Sequence, residues 1–137
     1  MPGVVRDHQG APVVIRNAPL EADGTPMPTR FWLIGPAQVE AIGRLEAGGG
    51  VRRAQVELDP ELIEQTHAHH AARRDAALPS GWSGHRPYGG VAGTRRGVKC
   101  LLAHYACWLA GEPDVVGAWV AALLEGELPE VLRCEQV

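Results

Sequence analysis

The residues with the clearest chemical capacity lie between Gly89 and Gly111, in the stretch GGVAGTRRGVKCLLAHYACWLAG. Arg95, Arg96 and Lys99 sit among Gly89, Gly90, Gly93 and Gly97, ahead of a run without formal charge from Cys100 to Gly111. Glycines let a backbone approach a ligand closely. Arginine grips a carboxylate or phosphate through two N–H groups, and lysine adds a point charge. The uncharged run predicts a helix from about Thr94 to Ala110, with Thr94 as its cap. The cations then stand at its N-terminus, where the backbone dipole is already positive. A bound anion explains positive charge gathered at such a place. The segment is not a Walker loop, because Cys100 stands where Ser or Thr must follow the lysine. The alternative is a solvated loop whose arginines pair with acids such as Glu46 or Asp75.

Cys100, His104 and Cys107 fall at i, i+4 and i+7, on one stripe of that helix. Thiolate and imidazole are zinc ligands, but only Cys134 or His8 could complete the set, by tertiary approach. Without paired CxxC knuckles the expectation is no metal and no cofactor, zinc being the one these residues would take. Buried cysteines also serve simply as small apolar residues. Cys100 beside Lys99 and Arg96 is a candidate nucleophile, and Cys100 or His104, used with Lys99, could serve a hydrolase or transferase. His67, His70 and Arg74 continue the face that Ile63 begins, with His69 to one side. Histidines three apart can share a metal, yet no acid on that face completes a ligand set. A half-exposed face packed on the loop Pro79 to Tyr88 is expected instead.

The elements that must position these residues follow from pattern. Val4–Arg6 and Val13–Arg16 flank a turn-rich segment and predict a β-hairpin. Asn17 to Pro28 is a loop, and Phe31–Ile34 a third strand. Pro36 opens a helix with Val39, Ile42 and Leu45 as its apolar stripe, ended by Gly48–Gly50. Val51–Leu58 reads as a further strand. Asp59–Pro60 starts a helix that runs to about Leu78. A last helix begins at Pro113–Asp114, with Val116, Trp119, Val120, Leu123 and Leu124 inward. The tail from Glu130 to Val137 should fray. Strands followed by helices predict an α+β fold, a small antiparallel sheet on about four helices, in one domain over 1–137.

The chain's 137 residues suit one domain with its own core, and its net charge of -3 argues against a general nucleic-acid coat. An odd count of three cysteines fits a reducing compartment. Arg6, Asp7 and His8 interrupt any secretory leader, and the longest uncharged apolar run, Val115 to Leu124, is about half a membrane span. A soluble cytoplasmic protein without membrane contact is expected.

The segments VVIRNAPLEADGTPMPTRFWLIGP (Val13–Pro36), RLEAGG (Arg44–Gly49) and GVKCLLAHYA (Gly97–Ala106) resemble the bacterial family catalogued as domain of unknown function 501. The resemblance runs from about Val4 to Leu124 and is most specific in ADGTPMPTRFWL and VKCL. Thr25, Pro26, Pro28, Trp32, Pro36, Gly89, Gly90, Lys99, Cys100 and Leu101 match the pattern. Arg30 and Arg44 lie in the matching segments, placed so that either can face the basic loop's pocket. The chain departs from the pattern in four places. Arg6-Asp7-His8 replaces an Arg-Cys-Pro segment, and Ile34-Gly35-Pro36 replaces Thr-Cys-Pro. Leu102 and Cys107 stand where the family has histidines. The resemblance implies no activity; its gene neighbourhood, with a septum-formation coiled-coil protein and an exopolyphosphatase, gives context alone.

The leading expectation is a small binding protein. Arg95, Arg96, Lys99 and Thr94 hold an anion, Gly89–Gly90 close over it, and His67, His70 and Arg30 join the pocket. Its ligand is a small anion or an acidic protein segment, with nucleic acid less favoured. The alternatives are the enzyme built on Cys100 and His104, and an interaction protein of division or envelope machinery.

Overall fold

The computed structural model describes residues 3–133. Strands β1 (Gly3–Asp7) and β2 (Pro12–Arg16) form the hairpin, and β3 (Phe31–Leu33) follows the Asn17–Arg30 loop. Five α-helices come next among the described residues: α1 (Pro36–Ala47), α2 (Gly50–Glu57), α3 (Pro60–Asp75), α4 (Leu101–Leu109) and α5 (Val115–Leu123). A final strand, β4 (Val131–Arg133), completes an antiparallel sheet of order β3-β2-β1-β4. The chain is thus an α+β domain, as its element pattern implied.

Three boundaries differ from expectation for identifiable reasons. Val51–Leu58 lies in helix α2 and its cap rather than in a strand. Its apolar residues alternate poorly for a strand, and Arg53 bonds Glu57 at i+4 across 2.6 Å, a pairing that suits a helix. Helix α3 stops at Asp75, short of Leu78. Of the tail, Val131–Arg133 pairs with β1; residues 134–137, Cys134 among them, lie outside the described residues.

The core joins the sheet to α4. Val4, Val5, Val13, Val14 and Phe31 meet Leu101, Ala106, Val116 and Val120, all within 2% of full burial. Consecutive valines can both be buried because the β1–β2 register shifts on either side of Val5. Helices α4 and α5 touch at Gly117, where a Cβ would lie 2.5 Å from the His104 carbonyl oxygen. Asp114 caps α5 by accepting the Gly117 N–H at 2.8 Å.

Candidate functional site

The uncharged run does not begin as a helix at Thr94. A single 3-10 turn, Val91–Gly93, is followed by irregular chain to Cys100, and α4 starts only at Leu101. Thr94 donates its hydroxyl to the Arg96 carbonyl at 3.0 Å and caps nothing. The anion at the helix N-terminus belongs to the protein: Glu46 of α1 accepts the Leu101 N–H at 2.8 Å.

Three successive helices hold the backbone of the basic loop through polar side chains. Besides Glu46, Gln55 of α2 accepts the Val98 N–H at 2.8 Å. His67 of α3 accepts the Val91 N–H on Nδ1 at 3.1 Å, so its Nε2 carries the proton and donates to the Gly97 carbonyl at 2.7 Å. One imidazole therefore ties both ends of the segment 91–97 to α3. Burial lowers the His67 pKa and keeps the ring neutral for this task. The loop is organised before any ligand arrives.

The stripe on α3 is buried rather than half exposed: His67, His70 and Arg74 are 2%, 4% and 1% exposed. Arg74 is a clip. Its guanidinium donates to the Pro28 carbonyl at 2.9 Å and the Pro87 carbonyl at 3.5 Å, and its Nε meets Asp75 at 3.1 Å. Two loops distant in sequence are thereby fastened to the last turn of one helix. His70 lies behind it. Burial drives the Cys107 thiol well above its ordinary range, so the S–H donates to His70 Nδ1 at 3.5 Å. The His70 proton then sits on Nε2 and goes to the Pro28 carbonyl at 3.2 Å. In the other tautomer the same nitrogen accepts the Arg30 N–H, 3.4 Å away.

Burial also pushes His70 down to about 4, against the bond to Pro28 that pulls it up. Its folded pKa lies below the unfolded value, so the unfolded chain binds more protons between the two. Stability from this group is complete above about pH 6.5 and is lost as pH falls toward 4, on the order of 3 kcal/mol. His67 is shifted in the same direction. Urea titrations between pH 7.5 and 4.5 should show a falling midpoint that His70→Gln flattens.

A cleft of about 370 Å³ opens beside this frame. One wall is a single face of α3, Glu64, His67, Ala68, Ala71, Arg74 and Asp75; the other is Pro87–Gly90 with Arg95. The Arg95 guanidinium lies over the Tyr88 ring, 4.5 Å from its centroid. Arg96 reaches Glu64 at 3.4 Å from a side chain 88% exposed. Gly90 is pressed onto α3 so closely that a Cβ would lie 2.5 Å from the His67 Cβ and 2.7 Å from its carbonyl oxygen. Gly90→Ala must push the loop off the helix, at a cost of about 3 kcal/mol, readable as a lowered denaturation midpoint.

Of the residues expected to bind a ligand, the fold brings Arg95, Gly89, Gly90 and His67 to this cleft, with Arg96 at its rim through Glu64. The others stand elsewhere. Arg30 points to Glu112 at 2.7 Å, and His69 and Arg73 meet the same carboxylate at 3.1 and 3.8 Å. Lys99 is exposed outside the cleft's lining, and His70 is buried behind it. Arg44 pairs with Glu40 on an exposed helix face. Arg74 and Tyr88 also line the cleft, beyond the residues expected from sequence; the spacing that puts Arg74 on the His67 face is the signal for the first.

Cys100 and His104 have different surroundings. His104 is fully buried, with Nδ1 2.8 Å from the Asp114 carboxylate and Nε2 without a hydrogen-bond partner among the described residues. Cys100 is half-buried and lines an apolar groove of about 280 Å³ with Phe31, Trp32, Ile34 and Leu102. Leu102 is one of the departures from the family pattern, and Ile34 belongs to another. Among the described residues no group of three His, Cys, Asp or Glu is placed to hold a metal ion. No helix there is long and apolar enough to cross a membrane.

Neither a curated protein nor a solved structure matches the chain. Residues 4–122 match the family described as Protein of unknown function (DUF501), and with most of its length covered the chain belongs to that family.

Proposed function

We propose that the protein is a binding module whose cleft between α3 and the Pro87–Gly90 loop receives a carboxylate or phosphate group. The observation that carries this reading is the unpaired guanidinium in the cleft wall. Arg74 and Arg95 line the cleft with Glu64 and Asp75, and Arg96 stands at its rim. Asp75 is engaged by Arg74 and Glu64 by Arg96, which leaves Arg95 lying on an aromatic ring with no carboxylate partner among the described residues. A guanidinium held by a ring face keeps its N–H edges for an incoming anion. The loop around it is already fixed by His67 and Gln55, so little ordering entropy opposes binding.

Thermal unfolding at constant ionic strength, with phosphate, pyrophosphate or citrate added, tests this. A ligand at about 100 times its Kd adds about 2.7 kcal/mol and raises Tm on the order of 10 °C. Arg95→Ala should abolish the shift, whereas Lys99→Ala, outside the cleft, should leave it. Equal shifts in wild type and Arg95→Ala would remove the reading.

A further inference from the structure

We infer that the cleft's natural occupant is an extended, acidic peptide segment. This rests on the anion-binding reading above and commits it to a ligand class. The first ground is shape. The lining residues of α3 run from Glu64 to Asp75, three turns or about 16 Å along the axis, so the cleft is a trough. An extended chain rises about 3.3 Å per residue, and about five residues fill that length. Ala68, Ala71, Gly89 and Gly90 line its middle, small residues that leave room for a backbone to lie between the walls.

The second ground is the distribution of charge. From Pro79 to Gly111 the chain holds Arg86, Arg95, Arg96 and Lys99 and no acid at all. All four are exposed. The remaining sequence keeps 9 of the 13 basic residues against all 16 acids, a balance of -7 against +4. An acidic partner is attracted to this loop and repelled by the rest of the surface, which orients its approach.

The third ground separates a peptide from a nucleic acid. Glu64 and Asp75 stand in the walls of the trough. A phosphodiester chain brings a negative charge at every nucleotide and meets those carboxylates unfavourably. A peptide carries its charges only on chosen side chains. Its backbone N–H groups can donate to Glu64 and Asp75 while its carboxylates reach Arg95 and Arg96.

Fluorescence anisotropy tests the inference with fluorescein-labelled (Glu-Ala)5, its neutral (Gln-Ala)5 counterpart and the oligonucleotide rU10. The acidic peptide should bind, the neutral one should not, and rU10 should bind at least ten-fold more weakly than the acidic peptide. Arg95→Ala should weaken the acidic peptide ten-fold or more. Ala68→Trp, at an exposed position in the trough, should do the same with the fold intact. Tighter binding of rU10, or peptide binding indifferent to Ala68→Trp, would overturn the inference. If the peptide fails while citrate or pyrophosphate still raises Tm through Arg95, the trough is a small-molecule site and only this inference falls. If neither binds, both readings fall.

Discussion

Arg74→Ala should lower stability by about 4 kcal/mol, one of the two largest single-residue effects expected in the chain. Its side chain is 2% exposed. Truncation strips the buried Pro87 carbonyl of its donor and leaves the half-buried Pro28 carbonyl only its bond from His70, and an acceptor left dry costs about 1–3 kcal/mol. The volume of the guanidinium and its stem is lost as well. Asp75 contributes less, because its side chain is 39% exposed and water screens the broken pair. Urea denaturation should show a lower midpoint with an unchanged slope, and Tm should drop by on the order of 10 °C. Arg74→Lys should recover only a minority of the loss, since one ammonium cannot span two carbonyls that a planar fork reaches together. A loss below 1 kcal/mol in Arg74→Ala would mean that the two loops are held by other contacts.

Asp114→Ala is the second large effect, at about 3 kcal/mol. Asp114 is 3% exposed and has two tasks. It caps α5 through Gly117, worth about 1 kcal/mol. It also accepts from His104 Nδ1, inside a site where the ring is fully buried. Removing the carboxylate leaves both ring nitrogens without partners, at a further cost of about 1–3 kcal/mol. Asp114→Asn separates the tasks. Asparagine caps a helix as well as aspartate does, and its side-chain oxygen still accepts a ring N–H. It should restore at least half of the loss. Urea midpoints of the three proteins settle this, and equal losses for Asn and Ala would show that the charge of Asp114 matters beyond its geometry.

Much of the fold was legible because its signals are local. The hairpin, the Asp59–Pro60 and Asp114 starts and the apolar α5 come from caps and periodicity that act within a few residues. Misreadings arose where a distant partner decides the outcome. Local pattern puts the start of α4 seven residues early because Glu46, 55 residues away, supplies the acceptor that lets the helix begin at Leu101. Arg30 looked available because Glu112 is 82 residues away in sequence. The α3 stripe was seen, but its depth was not. A His-His-Arg face suggests exposure until the Pro28, Pro87, Val91 and Gly97 backbones come in to satisfy it. The basic loop was recognised as a place for an anion, whereas the wall that makes it a cleft belongs to a helix two dozen residues earlier.

The central claim concerns where an anion docks, and a pyrophosphate titration followed by NMR of the labelled protein addresses it most directly. Backbone amides of Ala68, Ala71, Gly89 and Gly90 and the Arg95 side-chain Nε–H should shift together and saturate with one Kd. Leu101 and Leu102, at the head of α4, should stay still. Shifts centred on Leu101 and Leu102 with the cleft unmoved, or no saturable shift anywhere, would contradict the account.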